Sequence, residues 1–185
     1  MPTLRLFVAI EIPDEVKAQL AGLKTDLPGA VWVKPAALHV TLKFLGDGIS
    51  AGRVPELTDS LNTVRGEPFM LALEGVGRFP PGERAPARVL WAGLAAPREL
   101  ARLAAAVDVA MAALGFAPET RPFAPHLTLA RLKDAHARAE VAAFLSRHAG
   151  LRSAPFPVQA CALFSSQLTS QGAVYTRLAE FPLYR

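Results

Sequence analysis

Short apolar runs separated by turn residues alternate with stretches of helical spacing along the whole 185-residue chain. Seven runs rich in Val, Leu, Phe or Tyr predict strands, at residues 4–10, 38–45, 69–76, 88–94, 127–132, 156–164 and 173–181. Four segments carry a helical stripe instead. Pro13 and Asp14 open the first, with Val16, Leu20 and Leu23 on one face. Val54, Leu57, Leu61 and Val64 mark the second, and Ser50 upstream is placed to cap it. Pro97 opens the third, striped by Leu100, Leu103, Val107, Met111 and Leu114 and stopped by Gly115. Asp134 caps the fourth, from Ala135 to about His148, which ends at Gly150. Many connections are too short for a parallel crossover, so the pattern predicts an α+β fold with mainly antiparallel sheets.

Composition narrows the function classes without choosing one. Half the residues are apolar and 19% are charged, as in a globular chain that forms one domain or two small lobes around a core. No apolar run is long enough to span a bilayer, and 4–10 runs into charged sequence, which suits a strand better than a signal peptide. Cys161 has no internal partner and lies in an apolar run, so a buried structural thiol in a cytoplasmic protein is expected. The net charge is +4, from 15 Arg and 5 Lys spread along the chain. Guanidinium groups suit phosphate, but this balance alone points only weakly to nucleic acid. Gly75-Val-Gly77 lacks the third glycine of a dinucleotide fingerprint and reads as turn chemistry; no Walker sequence occurs.

One internal repeat changes the picture. His39-Val-Thr-Leu-Lys-Phe-Leu-Gly-Asp47 matches His126-Leu-Thr-Leu-Ala-Arg-Leu-Lys-Asp134, with His, Thr, Leu, Leu and Asp at the same offsets. With four His and nine Thr in the chain, two His-x-Thr matches arise by chance in roughly one such sequence in 50. On a strand, residues two apart share a face, so His39 lies beside Thr41 and His126 beside Thr128. Val40, Leu42 and Phe44, like Leu127 and Leu129, would face the core. Two such strands facing one another would bring two imidazoles and two hydroxyls into one cleft. Imidazole titrates near neutrality, so one can act as base and the other as acid in displacement at phosphorus without a metal. The alternatives are a pair of satisfied strand histidines or a zinc site. Two histidines with no Cys pair and no acidic cluster make a poor zinc site. His136 and His148, in the last helix, take structural roles, with His148 near a helix C-terminus that favours a cation.

The paired motifs resemble those of the two-histidine phosphoesterase superfamily, and most closely its bacterial and archaeal RNA 2′,3′-cyclic phosphodiesterases, also called 2′-5′ RNA ligases. The likeness extends over the start Arg5-Leu-Phe-Val-Ala-Ile-Glu-Ile-Pro13, Gly77-Arg-Phe-Pro80, the strand around Trp91, Pro125 to Arg131, and a tail with Ser166, Gly172, Tyr175, Leu178 and Pro182-Leu183. The resemblance implies two pseudo-symmetric lobes, each an antiparallel sheet backed by helices, in one catalytic domain over residues 1–185 with the cleft between them. It makes His39 the proton donor to the departing ribose O3′ and His126 the base that activates water. Thr41 and Thr128 would hold phosphate oxygens, and the product would be a 2′-phosphomonoester. No cofactor or metal is implied; RNA ends or cyclic nucleotides are the expected partners, no membrane is involved, and a monomer is expected. Run backwards, the cleft could join RNA ends through a 2′-5′ linkage. Arg131 matches a phosphate-contacting position, although strict alternation points it away from the His126 face unless the strand bends. Phe79 matches an aromatic that stacks on a base, or closes the core from its loop. Lys43 shares the face of His39, where it either meets RNA phosphates or ends a solvated strand. Rival readings are another activity of the superfamily, on 2′-5′ oligonucleotides or small cyclic phosphates, and an RNA-binding module without turnover.

Overall fold

The computed structural model describes residues 2–82, 85–95, 98–133, 138–169 and 172–184. The first predicted strand becomes β1 (Thr3–Glu11). Leu6, Val8 and Ile10 enter the main core, while Phe7 and Ala9 on its other face join a small cluster with Ala162, Phe164 and Tyr175. Both faces of β1 are thus covered, which explains its unbroken apolar run.

After β1 come α1 (Asp14–Ala21), β2 (Ala30–Trp32), β3 (His39–Ser50), α2 (Val54–Leu61), β4 (Phe69–Leu71), β5 (Leu73–Phe79) and β6 (Val89–Leu94). They are followed by α3 (Arg98–Ala112), β7 (His126–Leu132), α4 (Arg138–His148), β8 (Phe156–Val158), β9 (Ala160–Thr169) and β10 (Gly172–Pro182). One sheet has the order β10-β9-β1-β3 and the other β2-β7-β6-β5, with antiparallel neighbours throughout. The expected α+β class and antiparallel sheets are present, and each repeat strand belongs to its own sheet. The sheets meet where β3 lies against β7. The first sheet draws on both ends of the chain and the second on its middle, so the lobes interleave along the sequence.

Three expectations change. The runs at 69–76 and 156–164 each break into two strands, at Ala72 and Gln159, because β4 and β8 pair with each other before the chain passes on to a main sheet. β2, three residues long, carries no periodic signal and exists through its pairing with β7. Gly75 and Gly77 lie inside β5 rather than in a turn. A Cβ on Gly77 would stand 2.1 Å from the Trp91 ring, so glycine there lets Trp91 lie across the strand. Ser50 caps as expected, but its hydroxyl accepts from Gly52 N at 3.3 Å in a single 3₁₀ turn ahead of α2. The assignments to Pro97, Asp134, Ala135 and His136 lie outside the described residues.

Helices α2 and α3 serve the first sheet: Leu57, Leu61, Leu100, Leu103, Val107 and Met111 are buried in the common core. α1 and α4 serve the second, with Leu20 beside Trp32 and Leu129 and the Phe144 ring 5.7 Å from that of Trp32. His148 ends α4 against the Phe144 ring, and burial lowers its pKa, so this helix end does not favour the cation expected there. Cys161 is buried as expected, with its thiol pushed up to about 11 by burial.

One polar strut joins the layers. Lys43 on β3 is 8% exposed; its ammonium pairs with Asp108 on α3 and donates to the Ala117 carbonyl at 2.8 Å. Asp108 also accepts from Glu119 N at 3.1 Å, and the bond from Lys43 is the main reason its carboxyl sits below the usual range. The strut pins the segment that leads from α3 towards His126. Asp108→Ala should therefore cost about 2 kcal/mol by leaving an enclosed ammonium short of its acceptor. Urea unfolding checks this, and a loss within experimental error would mean that solvent already satisfies the lysine.

Candidate active site

The two repeat strands share a defect as well as a motif. Between β1 and β3 the register runs Val8 opposite Lys43 and then Ala9 opposite Thr41, leaving Leu42 unmatched. Between β6 and β7 it runs Leu90 opposite Ala130 and then Trp91 opposite Thr128, leaving Leu129 unmatched. Each is a β-bulge one residue past the threonine, and each reverses the alternation of side chains beyond it.

The burial patterns record the reversal in identical form. His39 and Thr41 are half-buried, Leu42 and Lys43 are buried in succession, and Phe44 emerges; His126, Thr128, Leu129, Ala130 and Arg131 repeat the sequence. The bulge thus brings Arg131 back to the side of His126, where it lines the same cleft. It also corrects two expectations. Lys43 turns away from the His39 face into its buried strut, so it is not a surface for RNA phosphates. Phe44, expected in the core, is 48% exposed and lines the cleft.

His39, Thr41, His126, Thr128 and Arg131 thus surround one cleft of about 310 Å³, with Arg5, Phe7, Phe44, Ser166 and Tyr175 among its other walls. Sequence reasoning missed these last five as site residues. The alternation in β1 could have found Arg5 and Phe7; Phe44 depends on the bulge, and Ser166 and Tyr175 depend on which strands pair. Among the described residues no Asp or Glu lines the cleft, and no three His, Cys, Asp or Glu side chains come together as a metal site would need. The chemistry present is that of an anion site with two titratable groups.

Both imidazoles are oriented by the same device. His39 Nδ1 lies 2.8 Å from the Ala37 carbonyl and His126 Nδ1 lies 2.7 Å from the Ala124 carbonyl, in each case two residues upstream. A carbonyl only accepts, so Nδ1 carries the proton in both rings, and Nε2 is left to gain or lose one. His39 Nε2 is 3.1 Å from Thr41 Oγ1. Aromatic rings hold both imidazoles: Phe7 and Tyr175 stand 4.8 and 5.1 Å from His39, and Phe79 and Trp91 stand 5.0 and 6.5 Å from His126. Phe79 ends β5 with its ring edge-on to His126 and is absent from the cleft lining, so it supports the histidine. Arg131 makes no hydrogen bond or ion pair among the described residues, whereas Arg5 is held by Asp47 at 2.7 Å.

Burial lowers the pKa of His39 below its ordinary value of 6.5. The bond to Ala37 opposes this, and the nearby His126 and Arg131 add to it.

The LigT like Phosphoesterase family model matches the chain twice, over residues 10–91 and 94–175, with one His-x-Thr motif in each match. An RNA 2′,3′-cyclic phosphodiesterase of Archaeoglobus fulgidus is 34% identical over 182 residues, covering 96% of this chain and 99% of the relative. The Aquifex aeolicus protein of that name is 33% identical over 190 residues, 99% of each chain. Among solved structures, a Thermus thermophilus protein is similar with a TM-score of 0.79 and 31% identity, over 97% of this chain and 98% of the other. Escherichia coli LigT, solved in complex with 3′-AMP, gives a TM-score of 0.78 at 27% identity over the whole of both chains.

NMR titration of the free protein should find His39 below the ordinary histidine value. Because burial is the largest cause, Tyr175→Ala, which opens the ring to water, should raise it more than Arg131→Gln, which removes one neighbouring charge. A His39 that titrates at or above the ordinary value, or the opposite order of variants, would contradict this account.

Proposed function

Because the chain belongs to the LigT-like phosphoesterase family, we propose that it hydrolyses the 2′,3′-cyclic phosphate of an RNA end, with His39 as acid and His126 as base. The observation that carries this reading is the pair of imidazoles with Nδ1 fixed by a backbone carbonyl, both lining one cleft that no carboxylate of the described residues lines. The names of the Archaeoglobus fulgidus and Aquifex aeolicus relatives support the substrate.

In the forward reaction, neutral His126 takes a proton at Nε2 from a water as the water oxygen attacks phosphorus. The P–O3′ bond breaks, and protonated His39 gives its Nε2 proton to O3′. A 2′-phosphomonoester leaves, and proton exchange with solvent resets the pair. Thr41, Thr128 and Arg131 hold the non-bridging oxygens, and the free guanidinium of Arg131 stabilises the charge that gathers on them. With an RNA 5′-hydroxyl in place of the water, the same groups would join two RNA ends: the 5′ oxygen bonds to phosphorus, the P–O3′ bond breaks, and a 2′-5′ phosphodiester results. No step calls on a metal or other cofactor. Burial leaves the protonated form of His39 less populated in the free protein than that of an ordinary histidine; a bound phosphate anion favours the charged ring and raises its pKa again. The whole chain acts as one catalytic domain, since the two family matches interleave in the fold. Both motifs stand in one chain, so a monomer suffices, and a lone buried cysteine suits a cytoplasmic location.

His39→Ala and His126→Ala, assayed in EDTA, should each lose about 100- to 10,000-fold while still folding. The pH profile should be bell-shaped, its basic limb reflecting loss of the acid's proton. That limb should lie at higher pH in kcat, which reports the bound state, than in kcat/KM, which reports the free one. A limb that stays in place would mean that substrate does not raise the His39 pKa.

Which bond breaks is a separate question. In-line attack puts the water and the leaving oxygen on opposite sides of phosphorus, so fixed acid and base allow one ribose oxygen to leave. Phosphorus NMR of the product from adenosine 2′,3′-cyclic phosphate should show the 2′-phosphate alone. The 3′-phosphate, or a mixture, would reject the role given to His39 or the pose.

A further inference from the structure

Three donors in the cleft have no part in the reaction above. Arg5 on β1 pairs with Ser166 on β9, and Ser166 pairs with Tyr175 on β10. Cross-strand partners share a face, so the three form one row, and all three line the cleft. Ser166 is 8% exposed, and its hydroxyl makes no hydrogen bond among the described residues. Its oxygen is not among the fully enclosed unpartnered atoms, so it is open to the cleft. The Tyr175 phenol is likewise unbonded among those residues, and burial raises its pKa, so it keeps its proton and can donate. Arg5 gives one terminal nitrogen to both oxygens of Asp47, at 2.7 and 2.9 Å, and its other two nitrogens remain available.

A guanidinium and two hydroxyls, lining a cleft with no carboxylate among the described residues, suit an anion rich in acceptor oxygens, as a phosphate is. The reacting phosphate does not need this row, since it already has Thr41, Thr128, Arg131 and both histidines. The row is also set apart from Thr41 along the strand. Ala9 stands opposite Thr41, and Arg5 is four residues further along β1, about 13 Å of strand. The guanidinium lies over the Phe44 ring at 4.5 Å, within the same cleft.

The geometry points to a second phosphate subsite on Arg5, Ser166 and Tyr175, which takes the phosphodiester joining the terminal nucleotide to the rest of the RNA. The preferred substrate is then an RNA end rather than a free cyclic nucleotide. This inference rests on the cyclic phosphodiesterase reading.

Three substrates test it with wild type, Ser166→Ala and Arg5→Gln: adenosine 2′,3′-cyclic phosphate, a dinucleotide ending in the same group, and that dinucleotide with an uncharged methylphosphonate linkage. Wild type should prefer the charged dinucleotide over the other two by about 10-fold or more in kcat/KM, as a charge-assisted hydrogen bond would give. Each variant should lose most of that preference, and the ratio is unaffected by any fraction of misfolded protein. A wild type that treats the three alike, or variants that slow all three equally, would overturn the subsite. Failure of wild type to hydrolyse any of them would instead refute the reading on which the subsite rests.

Discussion

Side chains on a strand alternate, so a strand that turns His and Thr towards a cleft must go on sending every second residue there. The bulges at Leu42 and Leu129 break that rule at the same place in each repeat. Without the second one, Arg131 would enter the core as an unpaired charge and Ala130 would face the cleft. Without the first, Phe44 would be buried and Lys43 would face the site. The extra residue after each threonine therefore decides which groups can meet a phosphate. The inward Lys43 is tolerable because Asp108 and the Ala117 carbonyl meet its ammonium.

The sequence pattern made much of this legible. Apolar periodicity located most of the strands and the four helices, and the His-x-Thr repeat located the cleft, because both signals depend on local spacing. What it could not show depends on pairing. Nothing in His39-Val-Thr-Leu-Lys-Phe distinguishes a regular strand from a bulged one, so simple alternation puts Lys43 and Phe44 on the wrong faces and makes Arg131 depend on a bend. The runs at 69–76 and 156–164 stay apolar while the chain changes partners, so composition gave no sign of the breaks at Ala72 and Gln159. The polar floor was hidden for the same reason. Arg5, Ser166 and Tyr175 are scattered in sequence and become neighbours only through the β1-β9-β10 register.

The two halves repeat a motif without repeating its surroundings. After the bulge, one repeat offers Phe44 to the cleft and the other Arg131. His39 is enclosed by Phe7 and Tyr175, whereas His126 is braced from the side by Phe79 and by a Trp91 that lies over Gly77. A perfectly symmetric pair would give neither histidine a reason to be the acid. The difference between the walls can supply one, since the charge on Arg131 and the burial of His39 both act on the proton that His39 holds.

The carbonyl behind each ring limits what that difference can do. Ala37 and Ala124 each hold an Nδ1–H, which must stay in place in both protonation states because the carbonyl cannot donate in return. Each histidine therefore exchanges protons at Nε2 alone, and neither can turn to present the wrong nitrogen without losing its bond. With the tautomer settled identically in both repeats, the motif fixes where a proton can be exchanged but not the direction in which it moves. Direction is left to burial, to Arg131 and to the bound anion. Burial makes the enclosed His39 give up a proton more readily than an ordinary histidine, and an anion in the cleft would act in the opposite sense by favouring the charged ring.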